Sequence, residues 1–208
     1  MRHRMYGILV FVILLIGVLI FLGYNVYRRP AMFRNLSDQS LSEEQVEELR
    51  NEIHSKPDKK VLVTYFSYSG TTRTIAEALS ERAGADLFEI APQAEYSNVY
   101  LQSNSEIRKN ERPELNDMVS DIDSYDIVFV GFPVWWHATP APINTFLESY
   151  ALDGKLIIPF CTSGGSDIEE AMPTFLNSCE GLAIYGERRI SSANQIDTWL
   201  SELNLNFE

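Results

Sequence analysis

The feature that most constrains this chain is the stretch at residues 61–74, VLVTYFSYSGTTRT. Val61, Leu62, Val63, Tyr65 and Phe66 form a near-continuous β-branched and aromatic run, the pattern of a central parallel strand covered on both faces. The run breaks at Ser67, and four hydroxyls, on Ser67, Ser69, Thr71 and Thr72, then surround Gly70, with Tyr68 between them. Gly70 lacks a Cβ, tolerates positive φ and lets the backbone come close to a ligand. Ile75, Ala76 and Leu79 mark the apolar stripe of a following helix. The first amides of such a helix have no internal partners and its dipole favours an anion, so the stretch predicts a phosphate site.

The contents of the loop narrow the kind of phosphate. It holds no lysine, which a G-x-x-x-x-G-K-[ST] loop needs for the outer phosphates of a nucleoside triphosphate, and one glycine where a dinucleotide fingerprint needs three. What remains is a Ser-x-Ser-Gly-Thr-Thr loop that neutralises a monophosphate with amides and hydroxyls, with Arg73 as the nearby cation. The plain alternative is a strand–turn–helix whose Ser and Thr only cap the helix.

Residues 1–29 pose a separate problem. No charge interrupts the chain between Arg4 and Arg28, and residues 6–24 are nineteen positions dominated by Ile, Leu, Val and Phe. That length suits one transmembrane helix, with Tyr6, Tyr24 and Tyr27 as interfacial aromatics. The YNVYRRP that follows offers no small-residue cleavage site, so an uncleaved single-pass anchor is expected rather than a removed signal peptide. Arg2 and Arg4 oppose Arg28, Arg29 and Arg34, a near tie under the positive-inside rule that leans slightly to a cytoplasmic domain. Residues 30–60 read as a polar linker. Ser42 and Gln45 form a capping box before a short acidic helix carrying Val46, Leu49 and Ile53 on one face.

Residues 61–208 are one domain of 148 residues. Strands are expected at 61–66, 85–90, 126–131, 155–161 and within 182–190, and helices at 72–82, 142–150, 167–176 and 193–203. That alternation predicts an α/β fold, a parallel sheet covered by helices on both faces. Residues 91–117, with Tyr96, Tyr100 and a charged RKNERPE run, break the pattern and are expected to be partly irregular. Ligands in such sheets bind beyond the carboxyl ends of the strands. Pro133, Val134, Trp135, Trp136 and His137 follow the third strand there, and Thr162, Ser163, Gly164, Gly165 and Ser166 follow the fourth. Two adjacent loop tryptophans offer a stacking face to a planar ring, or else cover a helix as ordinary core.

With these three loops in place, the chain from residue 61 to about 203 resembles the flavodoxins, in the short-chain group whose loops read S-x-S-G-x-T, P-x-W-W and C-T-S-G-G-S. The resemblance implies a three-layer fold with a five-stranded sheet in the order 2-1-3-4-5, and FMN as cofactor. It implies that Ser67, Ser69, Gly70, Thr71 and Thr72 bind the FMN phosphate and that Trp135 and Trp136 flank the isoalloxazine, with Trp135 favoured. Thr162 to Ser166 would line the other side, and the rest of the three loops, Tyr68, Pro133, Val134 and His137, belongs to the same site. Gly164 and Gly165 stand where familiar flavodoxins carry a covering aromatic, which would leave one ring face open.

Residues 61–208 carry eight Lys and Arg against twenty-two Asp and Glu, a net charge of −14. Such a surface excludes nucleic acid and favours redox protein partners with basic surfaces. Cys161 and Cys179 show no CxxC spacing and are expected as buried thiols, and no metal-ligand cluster or nucleophile–base pattern is present. Three functions follow. The first is a membrane-tethered electron carrier; the second, an NAD(P)H-dependent quinone or flavin reductase using the same FMN; the third, a domain that has lost its flavin and serves as a structural partner.

Overall fold

In the computed structural model, residues 2–28 and 38–207 are described, with side chains in the first segment at Tyr6 and residues 10–24. Helix α1 spans Arg2–Arg28. Among the described residues no helix is long and apolar enough to cross a membrane. The expected transmembrane anchor is therefore not supported. Arg29 and Arg34, on which the expected orientation rests, lie outside the described residues.

The sheet is built from β1 (Val61–Tyr65), β2 (Asp86–Glu89), β3 (Ile127–Pro133), β4 (Leu156–Thr162), β5 (Ala183–Ile184) and β6 (Arg188–Arg189), all parallel, in the order β2-β1-β3-β4-β5. The expected order 2-1-3-4-5 is present. Its last strand is interrupted, because β6 pairs with β4 one step further on, at Phe160 and Cys161. Gly186 makes the break. It has φ +62, its carbonyl accepts from Trp199 Nε1 at 2.9 Å, and a Cβ there would lie 2.2 Å from Leu203.

Period-two alternation sends the strands into two cores. On one face Val61, Val63, Tyr65, Phe129, Ile158 and Phe160 pack under α3 (Thr71–Ala83) and α7 (Ile196–Leu203), with Leu79 and Trp199 fully buried. On the other, Leu62, Val128, Val130, Phe132 and Ile157 meet α5 (Ala141–Glu148) and α6 (Met172–Leu176) through Phe146 and Phe175. Cys161 and Cys179 are free and fully buried, and burial pushes the Cys161 thiol up to about 12.

Helix α2 (Glu43–Ser55) forms with the expected capping box, and Val46 and Ile53 sink into the first core. The expected irregular segment holds α4 (Val99–Lys109), capped by the Asn98 side chain and ended by Asn110 at φ 57. Its flanks are non-helical.

Candidate functional site

The strand order reverses between β1 and β3, and the loops that follow β1, β3 and β4 meet at that edge. The first is tied to its neighbours by short bonds. Phe66 N donates to Gly131 O at 2.9 Å, and Thr72 Oγ1 lies 2.9 Å from Thr162 Oγ1, both hydroxyls buried. Gly70 sits at φ +89 with open space where a Cβ would stand, and α3 begins at Thr71 with no side chain capping its first amides. Ser69 Oγ and Thr71 Oγ1 lie 3.3 Å apart. Ser67 Oγ is buried without a partner among the described residues. A buried hydroxyl left unpaired costs about 1–3 kcal/mol, so the loop is short of an acceptor that a phosphate oxygen would supply.

Arg73 does not supply the expected cation. Its guanidinium clasps Glu89 at 2.5 and 2.7 Å and donates to the Tyr65 hydroxyl at 3.2 Å. The cation that reaches the loops is Arg189, carried in by β6, whose Nη2 donates to Ser163 O at 3.2 Å. No pattern in the sequence around Arg189 marks it.

After β3 the chain makes a tight reversal. Trp135 N donates to Ala138 O at 3.0 Å and Ala138 N returns to Trp135 O at 2.9 Å, while Trp136 and His137 between them hold φ of 54 and 57. Positive φ at both central residues is the mirror-image turn that usually takes Asn or Gly, and for other residues it costs about 1–2 kcal/mol each. Such strain persists only where the surroundings hold it. They do so here through side chains. Trp136 Nε1 donates to Ser103 Oγ of α4 at 3.0 Å, with Tyr100 edge-on to the ring. His137 Nδ1 is bonded to Glu170 Oε2, and Ser166 Oγ lies 3.3 Å from the same nitrogen.

The two tryptophans have different jobs. Trp135 is packed edge-to-face against Phe66, Tyr68 and Tyr96, which makes it part of the second core's rim. The Tyr96 hydroxyl behind it donates to Glu106 at 2.8 Å, and burial pushes that carboxyl up. Trp136, half-buried, faces two clefts. One, about 570 Å³, lies between the loops after β3 and β4 and is lined by Val134, Trp136, His137, Gly164, Gly165 and Glu170 with Ser163 and Ser166. The other, about 400 Å³, opens toward Tyr68, Ser69, Tyr100 and Ser103. Trp135, expected to be the favoured ring, lines the second of these clefts as well.

All three expected loops thus come together, with Pro133 pairing Thr162 across the sheet and Val134 N donating to Thr162 O at 3.0 Å. A Cβ on Gly164 or Gly165 would meet nothing within 4 Å, so that side of the cleft is open. Sequence reasoning missed Ser103, Glu170 and Arg189. Tyr100 it noted only as part of an excursion.

The flavodoxin profile matches residues 60–203. The chain belongs to the flavodoxin family. Two similar solved structures are described as flavoproteins: one from Bacteroides eggerthii, 34% identical, covering 72% of this chain and 100% of its own, TM-score 0.66, and one from Bacteroides uniformis, 33% identical over 69% and 98%, TM-score 0.64. A third is a flavoprotein from Lactobacillus acidophilus in complex with FMN, 27% identical, covering 68% of this chain and 99% of its own, TM-score 0.55. No curated protein matches the sequence. Helix α2 lies outside the matched residues of this flavodoxin.

Proposed function

We propose that this flavodoxin binds one FMN in the three-loop site and passes electrons between protein partners. The observation that carries the reading is the hydroxyl loop: Ser67 Oγ buried and unpaired beside an uncapped helix start and an open Gly70. Ser67, Ser69, Gly70, Thr71 and Thr72 would take the phosphate, and the Thr72–Thr162 bond would hold that loop against the next. Trp136, with Val134, would take one face of the ring, and Ser163 to Ser166 the polar edge. Bound FMN supplies the reversible uptake and release of single electrons. The family and the FMN complex of the Lactobacillus flavoprotein support the choice of cofactor.

Carrier is favoured over reductase by charge. A hydride donor brings phosphates, and the domain's net charge of −14 repels them. Arg73 is committed to Glu89, which leaves its guanidinium unavailable to clasp a dinucleotide. The reductase reading keeps one favourable feature, the open side at Gly164 and Gly165. The same acidity would draw partners with basic surfaces.

Membrane attachment through α1 belongs to this proposal. Its described side chains over residues 10–24 are all exposed, Phe11 and Ile20 at 67%, and an apolar surface of that extent calls for a cover. The test is direct. The purified chain should be yellow, NADH or NADPH alone should bleach it only slowly, and the full chain but not residues 38–208 should sediment with lipid vesicles. Rapid bleaching by either nucleotide would overturn the carrier, and a colourless protein that takes up no FMN would overturn the site.

A further inference from the structure

We propose that His137, positioned by Glu170, carries the proton that joins the cofactor ring on reduction; this rests on the FMN reading above.

The imidazole is unusual in how completely its orientation is fixed. It sits at positive φ in the turn after β3, and its side chain is 14% exposed. The constraint is a carboxylate with two tasks. Glu170 closes the capping box of the turn at Ile168–Glu170, its Oε1 accepting from Asp167 N at 3.3 Å, while Oε2 accepts from His137 Nδ1. Burial pushes the Glu170 carboxyl up, but the bond from His137 and the Asp167 amide outweigh it and hold the carboxyl below the usual range. Glu170 is thus an acceptor only, so the proton of the neutral imidazole resides on Nδ1.

Nε2 is then the atom that gains and loses a proton. It has no partner among the described residues, and the imidazole lines the 570 Å³ cleft with Trp136 and Gly164–Gly165. The other groups around it are accounted for. Ser166 Oγ is at 3.3 Å from Nδ1, the Asp167 carboxylate accepts from Ile168 N, Glu169 faces the groove toward α2, and Arg189 donates to Ser163 O. From its own turn comes only the uncharged Trp136.

The step balances simply. As a reduced partner protein delivers an electron to the ring and is itself oxidised, the Nε2–H bond of the imidazolium breaks and leaves its electron pair on Nε2. The proton forms an N–H bond on the ring, and water entering over Gly164 and Gly165 returns a proton to Nε2. Reoxidation reverses each transfer.

The FMN-loaded full chain, His137→Asn and Glu170→Gln test this by midpoint potential against pH from about 5 to 8, the range in which histidine titrates. Nitrogen-15 NMR of the imidazole in the apoprotein supplies a second readout. Wild type should bend in that window, His137→Asn should lose that bend, and Glu170→Gln should displace it. The apoprotein should show the Nδ1–H tautomer, lost in Glu170→Gln. Superimposable profiles with FMN bound, or a neutral imidazole protonated at Nε2, would overturn the proposal alone. Failure of wild type to bind FMN would bring down the cofactor reading and this one with it.

Discussion

The loop after β1 and the loop after β3 flank one site but are held by different means. Residues 67–72 take their shape mainly from near neighbours, a glycine at positive φ, a helix that starts at the next residue and hydroxyls two positions apart, with the Thr72–Thr162 bond as the distant tie. Residues 135–138 take theirs from afar. Trp136 is fixed by Ser103 and His137 by Glu170, each 33 positions away in opposite directions along the chain. A loop that binds through its own backbone can be specified locally, whereas one that must aim large side chains needs distant partners to hold the strained turn.

The sharpest way to isolate the first loop is to remove hydroxyls without changing shape. Ser67→Ala with Thr71→Val should lower FMN affinity on the order of 100-fold or more, since each hydrogen bond to a charged phosphate is worth about 1.5–3 kcal/mol. Riboflavin, which lacks the phosphate, should lose less than about threefold, as titration of the apoprotein by fluorescence would read out. Equal losses for both ligands would show that the loop holds something other than phosphate.

That asymmetry also explains what could be read from the sequence. Both cores and the hydroxyl loop were legible because alternation and loop chemistry are local signals, and Val63 and Leu79 announce their burial by spacing alone, whereas the strand order came only with the family resemblance. The three loops were legible as a set because each follows its strand. Ser103 and Glu170 were not. A serine inside a charged helix and a glutamate in an acidic turn look like solvated surface until the fold brings them to Trp136 and His137. Arg73 misled for the same reason: its position beside the loop was visible, its partner Glu89 on the adjacent strand was not.

The second loop predicts a division of labour between adjacent tryptophans. Trp136→Ala should cost about 1–3 kcal/mol of FMN affinity, the worth of a large stacked aromatic, and should brighten residual flavin fluorescence. Trp135→Ala should instead cost about 2 kcal/mol of folding stability, below the range for a fully buried ring because this one is half-buried among Phe66, Tyr68 and Tyr96. Chemical denaturation of the apoproteins separates the two effects. Should Trp135→Ala prove the greater loss in affinity, the ring lies on the other side of the turn.

The smallest expected effect is the most discriminating for the first loop. Arg73 stands one residue past Thr72, and a phosphate site would normally recruit such a cation. Here its guanidinium is held in a fork by Glu89 and braced by the Tyr65 hydroxyl, all on the half-exposed edge of the sheet. Ion pairs this exposed contribute little, so Arg73→Ala should change FMN affinity less than about threefold and leave the denaturation midpoint almost unmoved. Glu89→Gln supplies the converse. Released from its carboxylate, Arg73 can turn toward the loop, so FMN should bind more tightly and the binding should weaken more steeply with added salt. A large loss in Arg73→Ala, or no gain in Glu89→Gln, would mean that the guanidinium already serves the phosphate and that amides and hydroxyls alone do not neutralise it.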